Sequence, residues 1–416
     1  MALRSLLAGI AIFAAAGCGG GGGTPAPRPA PHPTPAGATG RVPDDAELLA
    51  TLLRERALAL ERRDSDAFAG TATGAQRVRD RQAIRRTVQL ALERVRIVSD
   101  ELETTGNRAR IALTLSYRMR GMSRPFLTAR RLVARRTSAG WRVSRDVARN
   151  EPLPWEVAAY GSTRTPHVVL LTPPGVDAAA LRSGLADAYR ELSSALPARE
   201  LPRGVLVIAA RDAAQAKRLA GRIAHGVVAL ANVSVRYGPP PALAVRRVLA
   251  ERMVVIDSRW RRLPAAERLS TLVHELTHTA LNTATSGRTP PWLAEAVALH
   301  VSGDDRAAEA RLRVTSAAGS VKLRELCGPN SIVKLDGRAH GAAYAASSGA
   351  AEAIVRRHGT KGLLRLYDAF NDPAIDGRSC ADTTDLALRQ TLGMSLTELE
   401  AAVAGPLPVP PTKSAR

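Results

Sequence analysis

His274-Glu275-Leu276-Thr277-His278 constrains this chain more than any other stretch. Two imidazoles four residues apart lie on one face of a helix, one turn above the other, where they can grip one metal ion. Glu275 is rotated off that face by about a quarter turn. It therefore points toward a water beside the ion rather than toward the ion itself. The flanks suit a buried helix, since Leu269, Leu272, Val273, Leu276, Ala280 and Leu281 surround the motif with no Pro or Gly inside it. The bland alternative is a pair of helical histidines hydrogen-bonded in a polar patch.

The residues after the motif weigh against that alternative. Residues 282–289 read as a short loop, and Pro290-Pro291 start a second helix through Trp292 to Leu299. Proline suits a first helical turn because its missing N–H costs nothing there. A connection this short folds the second helix back antiparallel against the first. Glu295 sits one turn into it among Trp292, Ala296 and Leu299. A carboxylate in so apolar a helix is costly unless it is paired or bound to metal. As a third ligand it would leave the fourth zinc position open, as a catalytic site requires. His300 is turned away from that face, and Asp304 and Asp305 come after Gly303 in what reads as a solvated turn.

HELTH, a short gap and then PPWLAEAVA resemble the gluzincin zinc peptidases, most closely their peptidase-MA-like branch. The resemblance implies one Zn2+ per chain held by His274, His278 and Glu295. It implies Glu275 as general base and a peptide or protein as substrate. Ala296 stands where the family usually has Gly, a departure that narrows the approach of backbone to the site. The resemblance also points to a downstream helix, residues 339–348, for the donor to the developing oxyanion. Tyr344 matches the tyrosine of that helix, and His340 lies one turn before it. Two other functions stay open: a peptidase-like scaffold without turnover, and a zinc amidase acting on cell-wall peptide.

The N-terminus reads as an export signal, residues 1–17, with Arg4 ahead of an apolar core from Leu6 to Ala16. That core is too short to span a bilayer as a helix. Ala-Ala-Gly followed by Cys18 resembles the bacterial lipobox, which implies lipidation of Cys18 and anchoring in the cell membrane on its extracytoplasmic face. Residues 18–43, rich in Gly, Pro and Ala, form a tether, and residues 406–416 a Pro-rich tail. Setting Cys18 aside leaves Cys327 and Cys380 as an even pair, expected as a disulfide in an oxidising exterior, with two buried thiols as the alternative.

The net charge of +21 invites a nucleic-acid reading. Nearly all of it is arginine scattered along the chain, aromatics make up only 3%, and no nucleic-acid-binding motif accompanies it, so no nucleic-acid partner is expected. The charge still draws the protein toward anionic lipid headgroups or wall polymers. Nothing in the sequence bears on oligomeric state.

The fold class expected is α+β. Residues 44–150 read as two helices followed by strands near 92–99, 108–117, 127–136 and 141–147, separated by turn signals. That order resembles a SnoaL-like cone, here a small unit without a titratable constellation, read as a spacer or protein contact. Residues 151–405 would form the peptidase domain. Strands and helices alternate up to about 257, the zinc helix and its partner come next, and the remainder is mostly helical. By resemblance, residues 249–257 would be the edge strand on which an extended substrate pairs its backbone.

Overall fold

The computed structural model describes residues 11–14, 44–148, 152–221, 223, 226–237, 246–304, 321–328, 331–332, 335 and 337–404. Cys18, the rest of the tether, Asp305 and the tail lie outside the described residues. Of the apolar segment read as an export signal, Ala11–Ala14 forms a short strand, β1.

Helix α1 (Asp45–Arg62) opens with a reciprocal cap. The Asp44 carboxylate accepts from Glu47 N at 2.8 Å, and Glu47 accepts from Asp44 N at 3.1 Å. Arg63 closes it with φ 59. Two shorter helices, α2 (Ser65–Gly70) and α3 (Gly74–Arg85), come next. Then four strands, β2 (Leu92–Thr105), β3 (Arg108–Met119), β4 (Phe126–Thr137) and β5 (Gly140–Ala148), pair in sequence order as an antiparallel sheet. Alternation along β3 sets the faces: Ala109, Ile111, Leu113, Leu115, Tyr117 and Met119 are buried, and the residues between them are exposed or half-buried.

A short helix, α4 (Pro154–Val157), leads to a six-stranded mixed sheet. Its other strands are β6 (Gly161–Arg164), β7 (Val168–Thr172), β8 (Val205–Ala210), β9 (Ala229–Tyr237) and β10 (Arg246–Ile256), in the order β1-β9-β10-β8-β7-β6. β7, β8 and β10 run parallel, with α5 (Ala178–Ala195) crossing between β7 and β8 and α6 (Ala213–Ala220) following β8. β10 is therefore interior, flanked by β8 and β9, and not the edge expected of residues 249–257. The strand outside it is β9, which the sequence pattern does not predict, and β1 lies parallel beside β9.

Both faces of the mixed sheet are buried at its inner strands β7 and β8. Val205, Val207 and Ala209 join α5 and the helix of the HELTH motif in one core. Leu206, Ile208 and Ala210 join Val254, Ile256 and the interior of the antiparallel unit in another. Residues 44–148 thus share a continuous core with the second sheet. Trp155, 1% exposed, fills the junction and meets the Tyr117 ring edge-on at 4.9 Å. Gly204 has φ +62, and a Cβ there would lie 2.1 Å from Gly121 O, so the two units meet backbone to backbone. A buried ionic network closes the same region, with Arg56 on Asp80 (2.8 Å), and Arg130 on Asp146 (2.7 Å) and Glu156 (2.6 Å). Such charges are tolerated only because each is paired.

The remaining chain is helical: α7 (Asp257–Trp260), α8 (Ala265–Leu281), α9 (Pro291–Ser302), α10 (Gly337–Ala369), α11 (Cys380–Leu392) and α12 (Leu396–Ala404). The helix expected at residues 339–348 runs on through Gly349 and breaks at Gly359, where φ is 68. Cys327 and Cys380 form a disulfide, Cα–Cα 5.7 Å, across a separation of 53 residues. The architecture is α+β, an antiparallel sheet and a mixed sheet with helices.

Candidate metal centre

α8 carries an unusual load of buried hydroxyls, and it disposes of them internally. Thr271, Thr277 and Thr279 each return their Oγ1 to the carbonyl four residues back, at 2.8, 2.8 and 3.1 Å. Its C-terminus is tied to the mixed sheet by Asn282 Nδ2 donating to Glu251 Oε2 of β10 at 3.1 Å. α9 starts with Pro291 at its first turn and stops at Gly303, φ 59, in the left-handed region. The short link folds α9 against α8, and α10 packs across α9.

This packing brings His274, His278 and Glu295 together. The two Nε2 atoms lie 3.2 Å apart, and Glu295 Oε2 lies 3.2 Å from that of His274 and 3.7 Å from that of His278. A tetrahedral zinc with bonds of roughly 2.0–2.1 Å holds its ligand atoms about 3.3–3.4 Å from one another. The triangle fits one face of such an ion, and the three residues form a buried group able to hold a metal. All are nearly inaccessible: His274 0%, His278 6% and Glu295 3% exposed.

Their electrostatics reflect one shared cluster. Burial pushes the Glu295 carboxyl up, yet the imidazoles of His278 and His274 outweigh it and hold its pKa at about 2. For His274, burial opposes the charged form, but hydrogen bonding and proximity to Glu295 win and its pKa is raised. For His278 burial wins, and its pKa is lowered. His274 Nδ1 has no hydrogen-bond partner, so packing rather than a second polar group orients that ring.

Glu275 is fully buried beside the ligands on α8. Tyr344, on α10, lies with its ring 6.3 Å from that of His274. Among the described residues its hydroxyl makes no hydrogen bond of normal geometry, and burial, followed by the charges of Glu295 and Glu275 and proximity to the Glu295 carboxylate, pushes its pKa well above the phenol range. His340 is one turn earlier, 4.8 Å ring to ring from Tyr344, and burial lowers its pKa. Of the two residues singled out on α10, Tyr344 lies beside the His274 ring, and His340 lies behind it, against Tyr344.

His300 turns away as the helical spacing requires, its Nε2 sitting 2.9 Å from Thr360 Oγ1. Asp304, expected as a solvated turn residue, lies near enough that its charge helps raise the pKa of both His274 and Tyr344. The signal for this was Gly303: a left-handed cap turns the chain back over the helix end, and Asp304 N bonds to Leu299 O at 3.3 Å. The Asn282–Glu251 link was not legible, because nothing local connects those two residues.

No family model matches the chain, and no curated protein matches it. Among solved structures, a Mycobacterium tuberculosis protein of unknown function is similar at 19% identity over 26% of this chain and 71% of that one. Its TM-score is 0.20, and a likeness of that grade carries no argument about this chain.

Proposed function

We propose that this chain is a membrane-anchored, extracytoplasmic zinc metallopeptidase of gluzincin type, its peptidase domain preceded by a SnoaL-like cone. The observation that carries the reading is the ligand triangle of His274, His278 and Glu295 with Glu275 on the same helix. His274, His278 and Glu295 would hold the zinc, which when bound would supply Lewis acidity to the hydrolysis. Glu275 takes the proton from the attacking water and returns it to the departing amine. Tyr344 keeps its proton and donates a hydrogen bond to the oxygen on which charge develops. Its unsatisfied hydroxyl suits that role, since an unused buried donor is costly at rest.

One further reading has a specific observation behind it. Glu275 is 0% exposed, as in a scaffold that holds metal without turnover, and Ala296 in place of the family's usual Gly favours the same reading. Zinc content and hydrolysis of a peptide mixture, measured on the parent and on Glu275→Gln, separate the two. Zinc with Glu275-dependent cleavage supports the peptidase. Zinc without cleavage leaves the scaffold, and no zinc removes both.

A further inference from the structure

The outer face of the antiparallel sheet carries a charge pattern that neither the fold nor the metal centre needs. Arg108 on β3 stands directly opposite Arg135 on β4, and Arg135 directly opposite Arg142 on β5. Three like charges thus form one row across adjacent strands, an arrangement that costs stability in isolation. Arg110 and Arg145 flank Val133 in the next row, and Arg131 lies between Ala112 and Val147 in the row after. Facing these six arginines from β2 are three carboxylates, Asp100, which accepts from Thr114 Oγ1 at 2.9 Å, Glu101 and Glu103. Among the described residues, the one ion pair these arginines make is that of Arg110 with Glu103, at 3.9 Å with both side chains largely exposed.

The chain enters the sheet at this same end. Asp45, in the first turn of α1, accepts from Arg136 Nη2 at 2.6 Å and from Trp141 Nε1 at 3.1 Å, and those two residues are the next pair after Arg135 and Arg142. The opposite end of the sheet, at Phe126, packs on Arg252 of the mixed sheet. The basic row therefore lies at the end of the sheet where α1 starts, opposite the end that packs on Arg252.

We propose that this face docks on an anionic phospholipid bilayer, the surface to which residues 18–43 are expected to tether the chain. Attachment at a single point does not by itself fix orientation. A row of arginines held in register across three strands sets it. The inference draws on the anchor expectation and is independent of the metal centre.

The test uses the full chain with Cys18→Ser, which carries no lipid, and vesicles of phosphatidylcholine with or without phosphatidylglycerol. Three proteins are compared: this parent, the sheet variant Arg108→Glu/Arg135→Glu/Arg142→Glu, and a control of equal net charge, Arg182→Glu/Arg203→Glu/Arg356→Glu. The parent and the control should bind anionic vesicles, and binding should weaken as the screening length falls from about 10 Å at 0.1 M to about 3 Å at 1 M salt. The sheet variant should lose at least about a hundredfold in affinity while keeping the parent's melting temperature. Equal loss in sheet variant and control would mean that diffuse charge alone binds. Equal binding to neutral vesicles, or short duplex DNA held as tightly by the parent and lost by the same variant, would also overturn the assignment to a bilayer. If the sheet variant unfolds, single reversals at Arg108 and Arg135 repeat the comparison.

Discussion

His274 Nε2 and His278 Nε2 face one another at 3.2 Å inside the protein, with Glu295 completing the triangle. Two buried imidazoles and one carboxylate at this spacing are poorly served by their own protons and well served by a shared cation. Purified protein should therefore contain about one zinc per chain. His274→Ala or Glu295→Ala should strip it, and chelation should lower the melting temperature, because metal bound only to the folded state stabilises it by mass action. Elemental analysis and thermal melts check the two in turn. Full zinc retention in Glu295→Ala would place the third ligand elsewhere.

Turnover should separate from binding. Glu275→Gln keeps the volume and removes the base, so zinc content should stay while peptide hydrolysis falls by about 10²–10⁴-fold. Tyr344→Phe should lower kcat by about 10²–10³-fold with little change in KM, as expected of a donor used only in the transition state. Parent-like kcat in Tyr344→Phe would move the role to His340, and His340→Ala is the companion measurement.

The shared core predicts one unfolding transition rather than two. Trp155 packs between the antiparallel unit and the mixed sheet, and Trp155→Ala should cost about 3–5 kcal/mol. Calorimetry and denaturant melts should still show a single step. Two resolved transitions in the parent would mean the units fold independently despite their contact.

Reduction should loosen the helical end. In the chain-entropy picture a bridge closing the interval between Cys327 and Cys380 is worth about 4 kcal/mol. Thiol labelling of denatured, unreduced protein should find neither cysteine free, and Cys327→Ser/Cys380→Ser should melt at lower temperature. Labelling of both thiols in exported protein would end the idea.

Lipidation is checked by fractionation and mass. Mature protein should begin at Cys18, carry lipid and sediment with membranes, and Cys18→Ser should release it or leave the precursor uncleaved. An unmodified Cys18 on a soluble mature form is the contrary result.

Local signals make the centre legible in the chain itself. His274 and His278 announce themselves by helical spacing, and Glu295 by being a lone carboxylate in an apolar helix after two prolines. The four strands of the antiparallel sheet can be read from alternation and turn residues, because one face is solvated. β9 is not legible: Asn232, Ser234 and Arg236 interrupt its apolar residues in the sequence, and residues 229–233 are buried without alternation, so no period marks it. β10 is legible only in its last residues because Arg252 looks out of place in a central strand. It is buried, donating to Leu219 O at 2.6 Å and lying 4.7 Å over the Phe126 ring. Which face of the mixed sheet receives the N-terminal unit depends on contacts between distant residues, and no local pattern encodes it.

β8 has a consequence of its own. Its six residues are buried on both sides, Val205, Val207 and Ala209 toward one core and Leu206, Ile208 and Ala210 toward the other. Hydropathy gives this strand no address, because a one-residue slip exchanges its faces without exposing a polar group. Only side-chain volume tells the two sides apart. A single deletion in the loop before β8 would pass unnoticed in any hydropathy profile, yet it would put leucine and isoleucine under the helix of the HELTH motif where valines now fit.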